Sequence, residues 1–185
     1  MTCATVLPRY LRYSIMRGDM IDNVLVDALW GTSTRYLGVY SLNQIPSTFT
    51  NFPCAYVANT DPSTLPGRHW VAFYHLSPSH LEFFDSYGFE PDDYHFPLSP
   101  HITEIDYNSH PIQSLNSSDC GQYCIFYVYQ RSHSVPMSEI IKSLSMSSNP
   151  DRFVRTFSTQ LRSRIRPCSS HCCSNHQCCT MKQKQ

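Results

Sequence analysis

Between Gln113 and Tyr129 the chain changes character within a few residues. Ser114, Asn116, Ser117, Ser118 and Asp119 form a polar stretch of small residues. It gives way to the almost unbroken apolar run Cys120-Gly121-Gln122-Tyr123-Cys124-Ile125-Phe126-Tyr127-Val128-Tyr129. Ser118 and Asp119 are good N-caps, so the pattern predicts a buried helix that begins at Cys120. Cys120 then lies in the first turn, where free N–H groups and the positive end of the helix dipole favour an anion. Such a setting lowers a thiol pKa from about 8.5 into the range of roughly 3.5–7.5 and makes a nucleophile. Gly121 lets a bound backbone come close. Cys124, one turn on, reads as core. Free cysteine is among the most buried residue types, so this segment alone leaves open whether Cys120 is a nucleophile or a packing residue.

A chain of 185 residues can bury a proper core as one domain. The 14 Lys and Arg balance the 14 Asp and Glu, so global charge gives no argument for nucleic acid or membrane. No apolar run approaches the roughly 20 residues that span a bilayer. Met1 to Tyr13 carries basic residues without a sustained apolar run, so no secretory leader is expected. The cysteine count of 9 is odd, and Cys168, Cys172, Cys173, Cys178 and Cys179 crowd the end of the chain. That is no disulfide framework, and an intracellular setting is expected: nucleus, cytoplasm or, for a viral protein, the virion.

Along the chain, Met20, Ile21, Val24, Leu25, Ala28 and Leu29 recur at helical spacing, with Asp19 or Asp22 as caps. Tyr36–Tyr40 reads as a short strand or turn, and Cys54–Ala58 as a buried strand. His69–Leu76 is a second strand that places residues 69, 71, 73 and 75 on one face and 70, 72, 74 and 76 on the other. Ser77-Pro78-Ser79 turns the chain into Leu81–Asp85, which pairs with it as a hairpin. Ile102–Tyr107 is a further strand candidate, and 138–144 and 151–165 are helical. The order predicts an α+β fold in which a central helix carrying Cys120 packs on a mostly antiparallel sheet. One domain over 1–166, with its core at about 36–130, is expected. Residues 167–185 lack core-forming residues and read as a disordered, Cys-rich tail. Its five Cys with His171 and His176 only weakly match zinc spacing, and no metal site is assigned.

A thiolate that attacks a carbonyl needs a base, a group to orient that base, and donors for the oxyanion. His75, His80, His95, His101, His110 and His133 read as solvated. His69 differs, because it opens a strand after a Pro-Gly-Arg turn, at a sheet rim. Asp85 ends the neighbouring strand, where hairpin pairing would bring it beside His69. The acid would fix the tautomer of the imidazole and leave its other nitrogen for the thiol. Gln113 supplies an amide that, with the Cys120 N–H, could bind an oxyanion.

Gly67-Arg68-His69-Trp70-Val71-Ala72-Phe73, then Phe83-Phe84-Asp85-Ser86-Tyr87-Gly88, then Gln113 followed by Cys120-Gly121, resembles the adenovirus protease (adenain) family, within the ubiquitin-like-protein protease group. Tyr36–Tyr40 and Cys54–Thr60 are also similar to adenain's approach to its histidine. The resemblance spans about residues 36–130 and implies a papain-like thiol mechanism. Cys120 would be the nucleophile, His69 the general base and then acid, Asp85 the orienting acid and Gln113 the oxyanion donor. The acid in adenain is Glu; Asp is usual in the ubiquitin-like proteases.

The resemblance further implies a cysteine endopeptidase that processes viral or mobile-element structural precursors, cutting after small residues such as Gly. The alternatives are a protease that processes or deconjugates a ubiquitin-like modifier, and a catalytically inactive DNA- or capsid-binding module. Adenain is activated by a peptide disulfide-linked to a Cys between its acid and its Gln. Residues 86–112 contain no Cys, so that mode is not carried over. Adenain also uses DNA. The basic segment 131–166 leaves DNA contact open, although a solvated Arg face explains it equally well. The chemistry itself needs no cofactor. Protein substrates, a monomeric state and no membrane association are expected.

Overall fold

The computed structural model describes residues 16–164. Helix α1 (Gly18–Ala28) precedes β1 (Arg35–Ser41), β2 (Cys54–Asn59), β3 (Trp70–His75), β4 (His80–Phe84) and β5 (Glu104–Tyr107). Helices α2 (Cys120–Ser132), α3 (Met137–Ser145) and α4 (Pro150–Arg164) follow. The strands form one sheet in sequence order. Its centre is antiparallel, β2 with β3 and β3 with β4, as the short turn at Ser77–Ser79 requires. The outer pairs, β1 with β2 and β4 with β5, are parallel, and each uses a long crossover, residues 42–53 and 85–103.

Alternation along β3 divides the interior as its sequence predicts. Trp70, Ala72 and Tyr74 join a cluster with Ile21, Leu25, Tyr123, Cys124, Tyr127 and Val154, on the helical side of the sheet. Val71 and Phe73 join Tyr56, Leu81, Phe83 and Phe96 on the other side, which loops cover through Leu42, Phe49, Leu98 and Ile102. The expected α+β architecture is therefore present. Helix α2 is central: from Tyr123 to Val128 every residue is buried, which an apolar run without polar relief requires.

The helix starts differ from expectation. Neither Asp19 nor Asp22 caps α1; Arg17 holds the cap position in an extended conformation, and Asp19 pairs with Arg17 instead. Asp119 occupies the N-cap position of α2, but its side chain makes no cap hydrogen bond. Gly121 has a packing reason as well: a Cβ there would stand 3.0 Å from Met16 Cβ and 3.1 Å from Ile21 Cδ1, so the glycine lets α1 press onto the first turn of α2. The Cys-rich tail lies outside the described residues. Within them no helix is long and apolar enough to cross a membrane.

Candidate active site

His69 enters from the turn before β3. Gly67 has φ of +85°, and a Cβ there would stand 2.6 Å from Asn59 Nδ2, so only glycine fits the turn. Arg68 Nε donates to Asp61 Oδ1 at 2.8 Å, and the Thr60 N–H donates to the His69 carbonyl at 3.0 Å. These bonds fix the chain on both sides of the imidazole. Asp85 follows β4 directly and is fully buried. Its Oδ1 lies 2.6 Å from His69 Nε2 and accepts the Tyr87 N–H at 2.8 Å. Its Oδ2 accepts the Tyr94 hydroxyl at 2.7 Å. Asn108 grips the backbone of Asp85, accepting its N–H at 3.0 Å and donating to its carbonyl at 2.6 Å. Every oxygen of the acid is therefore engaged, and the carboxylate has one orientation.

The second ring nitrogen of His69, Nδ1, is buried and has no hydrogen-bond partner among the described residues. It is the nitrogen left for Cys120, whose side chain interacts with the ring. Burial works against a charge on the ring. Asp85, and after it Cys120, outweighs that and holds the His69 pKa well above its ordinary 6.5, at about 10. The environment therefore favours a protonated ring. Tyr87 walls the ring, with centroids 4.8 Å apart. Its own pKa is pushed up to about 12 by burial and by Cys120 and Asp85.

Cys120 is the first residue of α2 and is buried. Cys124 is fully inside the core, and burial raises its pKa far above the usual thiol range. Both cysteines join the core on the helical side of the sheet, and Cys120 also interacts with the His69 ring.

Gln113 is also buried, but its amide is already engaged. Oε1 accepts the Ser86 hydroxyl at 2.7 Å. Nε2 donates to the Ser117 carbonyl at 2.9 Å and to Tyr87 Oη at 3.2 Å. The structure therefore brings His69 and Asp85 into direct contact, sets Cys120 against the ring, and folds Gln113 over the loop that leads to the cysteine.

Tyr94 and Asn108 escaped the sequence reading, as did the Arg155 contact to Asp119. Tyr94 ends a short 3-10 turn, Pro91–Tyr94, and Asn108 lies in a loop, and neither segment carries a pattern that points to Asp85. His75 corrects the expectation of a solvated ring: it is buried against Phe49 and Tyr56, and burial lowers its pKa to about 4. In the basic segment 131–166, Arg131 is paired with buried Glu82 and Arg155 with buried Asp119. Among the described residues, His80, Glu104 and Asp106 bring potential ligand atoms within 4.8 Å of one another, at the end of β4 remote from Asp85. The His80 nitrogens face one carboxylate each, 2.8 Å from Asp106 and 3.6 Å from Glu104.

An acid, an imidazole and a helix-initial cysteine thus sit together on an α+β scaffold. No family model matches the chain, and no curated protein matches it significantly. Solved structures do. The ASFV pS273R protease aligns with a TM-score of 0.53 at 17% identity, over 80% of this chain and 67% of that one. Its selenomethionine form gives 0.51 at 19% identity, over 80% and 68%. The central domain of the uncharacterized Lpg1148 protein from Legionella pneumophila gives 0.51 at 17% identity, over 80% of this chain and 96% of that domain. At these identities the likeness is one of fold.

Proposed function

We propose that the chain is a cysteine endopeptidase in which Cys120, His69 and Asp85 act as a triad. The observation that carries this reading is the state of the His69 ring. One nitrogen is held by a fully engaged carboxylate, the other is buried without a hydrogen-bond partner among the described residues, and the thiol of a helix-initial cysteine interacts with the ring. His69 takes the Cys120 proton, the thiolate attacks the scissile carbonyl, and the imidazolium returns the proton to the leaving amine. Water then gives a proton to His69 as its oxygen adds to the acyl carbon, and the C–S bond breaks to free the acid product and return the Cys120 thiolate. The Cys120 N–H and Gln113 stabilise the oxyanion, with Gln113 turning the N–H that it gives to Tyr87 toward it.

The shared fold with the ASFV protease and the adenain-like segments over 36–130 support processing of viral or mobile-element structural precursors as the role. Protein groups supply the whole of this chemistry, and DNA or a peptide would act only as an activator.

The test is a peptide library offered to the wild-type protein and to Cys120→Ala. Cleavage by the wild type alone is the expected result. Cleavage restricted to substrates that carry a folded ubiquitin-like modifier would move the assignment to a deconjugating protease, and no cleavage of either kind would leave an inert binding module.

A further inference from the structure

We propose that Arg155 on α4 is a positioning residue for Cys120, acting through the carboxylate of Asp119, with Asp151 as a second anchor on the same helix. Asp119 directly precedes the thiol and is buried. Arg155 grips it with both ends of its fork, Nε to Oδ1 at 3.1 Å and Nη2 to Oδ2 at 2.6 Å. Ser117 Oγ donates to the same Oδ2 at 2.7 Å, and the Ser117 carbonyl receives Gln113 Nε2 and Tyr87 Oη. A continuous set of bonds therefore runs from Arg155 through Asp119 and Ser117 to Gln113.

One helical turn earlier, Asp151 accepts the Ser114 hydroxyl and, at 3.4 Å, the Ser114 N–H. It also accepts the Tyr123 hydroxyl of α2 at 2.8 Å. Helix α4 thus holds both ends of the loop 114–119. Spacing i, i+4 puts the two anchors on one face.

The charges give the clamp a chemical consequence. Asp119 stands one residue before Cys120 at the start of α2, and Asp85, from beyond β4, is bonded to the imidazole with which Cys120 interacts. A carboxylate close to a thiol opposes its ionisation. His69 on β3 answers Asp85, and Arg155 answers Asp119. Without Arg155, Asp119 would be a buried, uncompensated charge one residue from the nucleophile.

This inference rests on Cys120 being the reactive thiol, and the test separates the two ideas because it needs no substrate. The rate of Cys120 alkylation by iodoacetamide is followed against pH by peptide mapping, in wild type, Arg155→Ala, Arg155→Lys and the double variant Arg155→Ala/Asp119→Asn. In Arg155→Ala the midpoint is expected to rise and the rate at neutral pH to fall about tenfold, the effect of one pKa unit. Lys, which keeps the charge without the fork, is expected to retain most of the wild-type rate. The double variant, which removes both charges, is expected to return the midpoint toward the wild-type value, a recovery that a merely destabilised fold would not show. An unchanged midpoint in Arg155→Ala, or no recovery in the double variant, overturns the proposal. A wild-type Cys120 no faster than a free thiol would instead overturn the triad.

Discussion

His69 gains its character from neighbours that are individually ordinary. A rim histidine, a strand-end aspartate and a helix-initial cysteine each have a structural explanation. Their combination, with Asp85 held by His69, Tyr87, Tyr94 and Asn108, leaves the imidazole one free nitrogen and one orientation. Tyr94 is the cleanest probe of this cage, because Tyr94→Phe removes one hydroxyl donor and leaves the ring. A hydrogen bond to a charged group contributes about 1.5–3 kcal/mol, and part of that holds the acid in place. In a peptide-hydrolysis assay kcat is expected to fall about tenfold, since about 1.4 kcal/mol corresponds to a factor of ten, with KM little changed.

At the scale of elements, the helix that carries Cys120 depends on close packing at its first turn. Gly121→Ala would push a methyl group to within 3.0 Å of Met16 Cβ and 3.1 Å of Ile21 Cδ1. Over-packing of this kind costs about 1–3 kcal/mol, so the urea midpoint is expected to fall by a corresponding amount. Gly121 was legible in sequence only as a place for close approach, and its neighbour turns out to be α1. The central elements were legible because their signals are local: a continuous apolar run over 70–74, a short turn at Ser77–Ser79, and the abrupt onset of the apolar run at Cys120. The parallel pairing of β1 and β5 was not, because their partners lie across long crossovers and their own patterns are short. Asp119 carried the signal of a cap, yet a basic residue thirty-six positions later claims its carboxylate. Local preference for capping loses there to a bidentate ion pair, which no single-segment pattern encodes.

Across the whole molecule, two buried histidines with opposite shifts shape the dependence of stability on pH. His75 is held neutral, with a pKa near 4 against an ordinary 6.5. The unfolded chain binds its proton first, so stability falls as pH drops from about 6.5 toward 4. His69 is shifted upward, to about 10, despite the burial that opposes its charge, because Asp85 prevails. The folded chain keeps that proton longer, so this contribution is complete below about 6.5 and is lost as pH rises toward 10. Urea midpoints measured across pH should therefore form a dome. His75→Phe is expected to flatten its acid side and Asp85→Asn its alkaline side.

The whole reading turns on His69 and Cys120 exchanging a proton. The most direct measurement is the titration of the Cys120 thiolate by its ultraviolet absorbance, taken as the difference between wild type and Cys120→Ser, and repeated in the His69→Ala background. Thiolate present well below the ordinary thiol pKa of about 8.5 in the wild type, and a midpoint that moves up to or beyond that value without the imidazole, is the expected result. A midpoint indifferent to His69 would contradict it.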